Sequence, residues 1–257
     1  MSRELFQQER REQIVVLIGE AGRVSVAGLS EQFGVSPATI RADLDALAAE
    51  RLLLRTHGGA LALDTARLEL SFNFRRRVHT KQKSRIGAAA AEMIEDGEAI
   101  ILDASTTALA VATQIEGRRE ITVLTNGILI AMALMDSPGV TVVMPGGFLR
   151  PDSVSMVGDD GHDFIGKFNF QKGFFGAKGL MLKEGLTDVN SAEVAVKRAM
   201  ITHARQVIAI VDSSKWGRVG LVSFASIDQV DCIITDKDAP SDMIAALREA
   251  DVDVVIV

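Results

Sequence analysis

The chain has 257 residues, a formal net charge of −6, 47% apolar and 24% charged residues. That is enough for one large or two smaller globular domains, and the acidity excludes a uniformly basic nucleic-acid coat. No apolar run reaches the about 18 residues of a membrane span. The opening MSRELFQQERREQ lacks the apolar core of a signal peptide, and the single Cys232, in the apolar run VDCIIT, excludes an intrachain disulfide. A cytoplasmic protein without membrane association is expected.

Charge is uneven. Residues 1–85 carry 14 Lys/Arg against 10 Asp/Glu, whereas residues 86–257 carry 14 against 24. A relatively basic head on an acidic body fits a DNA-binding part joined to a part that does not bind DNA.

In chain order, Leu5–Gly19 places Ile14, Leu17 and Ile18 at helical spacing, and Ala21-Gly22 stops it. Val26–Phe33 is a second short helix that Gly34 breaks. A third begins at Ser36, an N-cap, with Pro37 at the first helical position. Ile40, Leu44 and Leu47 share one face of it; Ala38, Ala42 and Asp45 lie opposite, with Thr39 and Arg41 on the flanks. Helix, short helix, Gly turn, helix is the helix-turn-helix pattern. Leu52–Arg55 and Ala60–Leu63 flank THGG and suit a tight hairpin, a wing. The basic run RRRVHTKQKSR shows no apolar periodicity and marks a join.

Beyond it, short apolar strands alternate with helices. The strands are expected at Ala99–Leu102, Thr122–Leu124, Val140–Met144, Gly173–Phe175, Val207–Val211, Cys232–Thr235 and Val252–Val257. The helices are expected at Ser84–Ile94, Thr106–Gln114, Ile128–Met135, Ala192–Ala204 and Ser241–Ala250. Such alternation implies a mostly parallel sheet covered by helices, α/β in class. GDDGHD at 158–163 reads as a polar turn rather than a metal site, and Met132, Met135 and Met144 read as core. The expected organisation is a head at 1–63, a linker at 64–83 and a body at 84–257.

A recognition helix inserts its N-terminal part into the major groove. Arg41 would bond guanine or hold a phosphate, Ser36 and Thr39 suit phosphate contacts, and Arg55 and His57 on the wing would reach backbone or minor groove. The competing reading of the head is a small helical domain for protein contacts.

In the body, Asp103, Ser105, Thr106 and Thr107 follow one strand and open a helix; Thr125-Asn126 and Gly146-Gly147 follow the next two. Helix N-termini with hydroxyls and close-approaching glycines suit an anion, and ligands gather beyond the carboxyl ends of parallel strands. Lys178, Glu193, Lys197, Asp212 and Lys215 are the charged candidates nearby. Glu193 and Lys197, four apart on one helix, also suit an exposed ion pair. Trp216 adjoins Lys215 on the expected pocket rim. No metal, cofactor or catalytic triad is indicated.

VSPATIRADLDAL followed by LLLRTHGGAL resembles the winged helix-turn-helix of the DeoR family of bacterial transcriptional regulators. KSRIGAAAAEMIEDG, ILDASTT, TVLTNG, GGFLR, EGLTDVNSAEVAVKRAM, VDSSKWG and ITD resemble the landmarks of its sensor domain, so the likeness spans nearly the whole chain. One departure is Ala42, where the family usually carries a second basic residue. The resemblance implies a C-terminal domain like ribose-phosphate isomerases and the CoA-transferase fold. It also implies a phosphorylated sugar-type effector lined by residues matching 103–107, 125–126 and 146–147, with Lys197, Asp212 and Lys215 around it. The expected function is a repressor of a carbohydrate operon, a homo-oligomer (dimer or tetramer) on double-stranded operator DNA. The alternatives are a sugar-phosphate isomerase-like enzyme with an appended head and a nucleotide-binding domain; no G-x-G-x-x-G follows the first α/β strand, against the latter.

Overall fold

The computed structural model describes residues 7–50, 52–62, 71–115 and 117–257. Leu5 of the expected first helix, Leu63 of the expected wing and residues 64–70 of the expected linker lie outside them. Two compact units emerge, Met1–Thr80 and Lys81–Val257.

The first unit contains α1 (Gln7–Ala21), β1 (Arg23–Ser25), α2 (Val26–Phe33), α3 (Pro37–Ala49), β2 (Leu54–Thr56), β3 (Gly59–Leu61) and α4 (Phe72–Arg77). Ser25 caps α2 by accepting from the Gly28 N–H at 3.0 Å. Ser36 caps α3 by accepting from the Thr39 N–H at 3.1 Å, with Pro37 next. Ile40, Leu44 and Leu47 of α3 bury against Ile14, Val15 and Ile18 of α1 and Leu29 of α2. The wing turns through His57-Gly58, tighter than the expected THGG. A third strand, β1, pairs with β3 and was not foreseen, because three residues are too few to show a period. Gly59 permits this pairing: a Cβ there would stand 2.0 Å from the Val24 carbonyl oxygen.

The two units meet within the basic run where the join is expected. The run is helical in α4 and again from Thr80, because Phe74 and Val78 anchor it in the core of the head. Those anchors straddle the arginines and leave no helical stripe to read.

The second unit continues α5 (Thr80–Glu92), β4 (Ala99–Leu102), α6 (Thr106–Ala112), β5 (Ile121–Thr125), α7 (Ile128–Leu134), β6 (Val140–Val143), β7 (Phe148–Arg150), β8 (Ser155–Val157), α8 (Asp160–Ile165), β9 (Phe170–Phe175), β10 (Gly179–Met181), β11 (Gly185–Asp188), α9 (Ser191–Thr202), β12 (Ala204–Ile210), β13 (Val222–Ala225), β14 (Cys232–Thr235), α10 (Ser241–Glu249) and β15 (Asp253–Ile256). The seven expected strands form one parallel sheet in the order β15-β14-β12-β9-β4-β5-β6. Alternation along the strands feeds two cores. Ile100, Leu102, Ile208 and Ile210 pack with α5, α6 and α7, whereas Ile101, Val207 and Ala209 pack with α9 and α10.

Three expectations are corrected here. Residues of GDDGHD lie in α8 rather than a turn, since Ile165 buries into the core and orders the segment. Met132 and Met135 are 56% and 69% exposed, because Ile130 and Leu134 occupy the buried face of α7. The hairpin β7–β8 and the antiparallel sheet β10-β11-β13 are additions to the expected α/β pattern.

Candidate functional site

In the head, packing of Ile40, Leu44 and Leu47 leaves Ala38, Arg41, Ala42 and Asp45 exposed along α3. Ser36 Oγ and Thr39 Oγ1 stand 2.9 Å apart at its start. His57 is exposed in the wing turn. Arg55 is committed elsewhere: its Nε donates to Asp45 Oδ1 at 2.6 Å and its Nη1 donates to the carbonyls of Thr56 and Gly59. It therefore staples the wing to α3.

Behind this face lies a residue that the sequence reading missed. Asp43 is fully buried, and its carboxylate accepts from Arg10 Nε at 2.6 Å and Arg11 Nε at 2.8 Å. Two charge-assisted bonds from α1 thus fix the rotation of α3. Its spacing, three after Ile40 and four before Leu47, already put it on the buried face.

In the body the chain leaves β4 toward β5 and β6 on one side, then returns through β9 to β12, β14 and β15 on the other. Neighbouring β4 and β9 therefore flank the switch point, where open parallel sheets bind ligands. Asp103 ends β4 there. Its Oδ1 accepts from the Ser105 N–H at 3.1 Å and its Oδ2 from the Gly176 N–H, beyond β9, at 3.0 Å. A Cβ at Gly176 would lie 2.5 Å from Ser105 Cβ, so only glycine brings these strand ends together.

Lys197 of α9 completes the centre. Its Nζ lies 3.1 Å from Asp103 Oδ2, 2.9 Å from Asp188 Oδ2 and 2.6 Å from the Gly176 carbonyl oxygen, and 4.5 Å over the Phe224 ring. All three ammonium protons are used. Burial pulls the Lys197 pKa down, but Asp188 and Asp103 outweigh it and hold the ammonium well above the ordinary lysine value. Burial likewise pushes Asp188 up, and Lys197 reverses this, leaving its carboxyl below the usual range. A lysine so held is a fixed cation at neutral pH, not a base or a nucleophile.

Glu193 and Lys197 do not form the exposed pair that their spacing allows. Both are buried, and they turn to different partners. Glu193 Oε1 accepts from the hydroxyls of Ser153, at 2.5 Å, and Ser155, with Arg150 Nε 3.5 Å away. These partners on the β7–β8 hairpin, together with Asp188 and Gly176, were beyond sequence reasoning; nothing in local spacing joins them to α9.

The remaining candidates stand at strand ends. Thr106 and Thr107 are buried in the first turn of α6, and Ser105 caps it by accepting from the Ala108 N–H at 3.0 Å. Thr125 Oγ1 accepts from the Gly127 N–H at 3.0 Å. Asn126 Nδ2 donates to the Met156 carbonyl at 3.1 Å. Gly146 and Gly147 have φ of 76° and 114° between β6 and β7. The Lys178 N–H donates to the Thr187 carbonyl at 2.9 Å, and its charge helps to lower Asp188. Asp212 Oδ1 accepts from the Ser214 N–H at 3.0 Å at the start of a single 3₁₀ turn holding Lys215. Trp216 is buried, with Nε1 donating to Thr235 Oγ1 at 3.0 Å, so it packs in the core rather than on a rim.

Residues 10–66 match the DeoR-like helix-turn-helix domain, and residues 78–237 match the DeoR C terminal sensor domain. The glycerol-3-phosphate regulon repressor of Escherichia coli K12 is 35% identical over 243 residues, 95% of this chain and 96% of that protein. The HTH-type transcriptional regulator GolR of Listeria innocua is 34% identical over 232 residues, 90% of this chain and 91% of that protein. Among solved structures, ribose 5-phosphate isomerase A from Methanocaldococcus jannaschii covers 53% of this chain and 54% of its own at 15% identity, with a TM-score of 0.40, a likeness too loose to bear on function. The two matched domains and the near full-length relatives place this chain in the DeoR family of transcriptional regulators.

Proposed function

We propose that the protein is a cytoplasmic repressor of a carbohydrate operon whose hold on operator DNA is set by a phosphorylated sugar bound at the carboxyl ends of the body's parallel strands. The observation that carries this reading is the fixed centre at the β4/β9 switch point. There Asp103, Asp188 and Lys197 organise one place where strand ends and the start of α6 meet. Among the described residues no helix is long and apolar enough to cross a membrane.

On the DNA side, the exposed face of α3 offers Ser36, Thr39 and Arg41 to the groove, and His57 reaches from the wing. Arg55 acts through the wing that it staples. Within residues 1–80 there are eleven Lys/Arg against ten Asp/Glu, and Arg10, Arg11 and Arg55 are paired with Asp43 and Asp45, so one head neutralises few phosphates. Ala42, where the family usually places a second basic residue, is part of why that count is low. A dimer or tetramer that pairs heads on repeated half-sites supplies the missing affinity, and an effector needs about 1–3 kcal/mol of coupling to control it.

The isomerase alternative is disfavoured by Lys197. The ammonium is held protonated by Asp103, Asp188 and the Gly176 carbonyl, so it has no lone pair with which to take a proton from a sugar carbon. The deciding experiment is a gel-shift titration on DNA flanking the gene, with and without a panel of sugar phosphates. Arg41→Ala is expected to cost about 1–3 kcal/mol of DNA binding while leaving sugar-phosphate thermal stabilisation intact. Unchanged DNA affinity in that variant, or turnover of a sugar phosphate by the wild type, overturns the reading.

A further inference from the structure

Resting on the sugar-phosphate reading above, we infer that Asn126 is the specificity residue that accepts a hydrogen bond from a hydroxyl of the effector, so that the ligand's polyol end, not its phosphate, meets the end of β5.

Asn126 is 1% exposed, and its Oδ1 is buried with no hydrogen-bond partner. Buried acceptors are almost always satisfied, because an unmet one keeps the full cost of losing water. The orientation of the amide is settled chemically. Nδ2 donates to the Met156 carbonyl, and the flipped amide would set two oxygens against each other. The Met156 N–H donates in turn to the Asn126 carbonyl at 2.8 Å, which locks the residue to β8.

Neighbouring acceptors are already engaged. Asp103 takes Ser105, Gly176 and Lys197; Glu193 takes Ser153 and Ser155; Thr125 takes Gly127. Asn126 Oδ1 is thus an acceptor held in reserve beside the end of β4, where a Cβ on Gly127 would stand 3.1 Å from Ala104 Cα. What it lacks is a donor. Phosphate and carboxylate oxygens are acceptors at neutral pH, so a hydroxyl fits and an anionic group does not. The oxygen has no solvent access, so the proposal requires the bonds between Asn126 and β8 to open as the effector enters.

The test is an analogue scan on the full chain. Glycerol 3-phosphate and the common hexose phosphates are screened by thermal shift, then binders are measured by calorimetry against their single-position deoxy and deoxyfluoro analogues. One position is expected to lose about tenfold or more on wild type. Its deoxyfluoro analogue should lose as much, since fluorine cannot donate, and Asn126→Ala should bind all three forms alike. If a panel member binds but no position is donor-sensitive, or Asn126→Ala keeps the wild-type discrimination, the Asn126 assignment falls and the sugar-phosphate reading stands. If no panel member binds wild type, both fall. If Asn126→Ala does not fold, the near-isosteric Asn126→Leu is read in its place against the same two outcomes.

Discussion

The Lys197 ammonium lies 2.9 Å from the Asp188 carboxylate, and both groups are buried. With Asp103 at 3.1 Å, this makes two carboxylates for one ammonium inside the body. Removing the cation leaves two buried charges uncompensated, a loss of about 3–5 kcal/mol. Lys197→Met is therefore expected to lower the urea midpoint sharply. Lys197→Met combined with Asp188→Asn should recover part of the loss, since partners in one network are not additive. Equal midpoints for wild type and Lys197→Met count against a buried network.

The same trio sets a pH window. Asp188 has its pKa lowered on folding, so its contribution is present above the unfolded value of about 3.9 and is lost as pH falls through the lower native value. Lys197 has its pKa raised, so its contribution is present below about 10.4 and is lost as pH rises beyond that. Cys232 works in the same direction as Lys197 at high pH. Burial first, then Asp253 and Asp231, push its thiol from 9.0 up to about 11, so ionisation favours the unfolded chain above the lower value. Urea melts across pH should give a plateau between about pH 5 and 8 and decline on both sides. Growing stability below pH 4 contradicts the Asp188 assignment.

Cys232 offers a direct chemical check. The native thiol should resist a disulfide reagent at pH 8 and react fully in denaturant, because the thiolate is the nucleophile and here it is both buried and disfavoured. Rapid labelling of the native chain would mean that β14 is exposed.

Asp43→Ala probes the head. Losing the carboxylate strands the buried Arg10 guanidinium beside Arg11, and a cost of about 3 kcal/mol is expected. Hydrogen exchange should quicken in α1 and α3 while amides of the parallel sheet keep their protection. DNA binding should weaken although Asp43 lies behind the exposed face. If the variant binds DNA as well as wild type, the Arg10–Asp43–Arg11 fork does not set the pose of α3.

Gly59→Ala is expected to open the β1–β3 pairing, because the new methyl would enter the Val24 carbonyl oxygen. Thermal melts should show a destabilised head and an unchanged body. An unaltered melt would require a wing path other than the one described.

Much of this protein was legible locally. Periodicity at Ile40, Leu44 and Leu47, the Ser36-Pro37 start and the seven apolar strands depend on near neighbours, so the head, the parallel sheet and the exposed Arg41 could be read from the chain alone. Motifs with their order intact supplied the family. Tertiary structure alone decided which polar residues meet. Glu193 and Lys197 share a helix face and would pair if exposed, yet packing on the sheet buries both. That burial forces each to find charge or hydroxyl partners far away in sequence: Asp103 and Asp188 for one, Ser153 and Ser155 for the other. Asp43 likewise needed α1 beside it before its charge had a purpose. Spacing carries what neighbours along the chain do to one another; a buried charge is governed by what the fold brings across, because only there must every polar group be met.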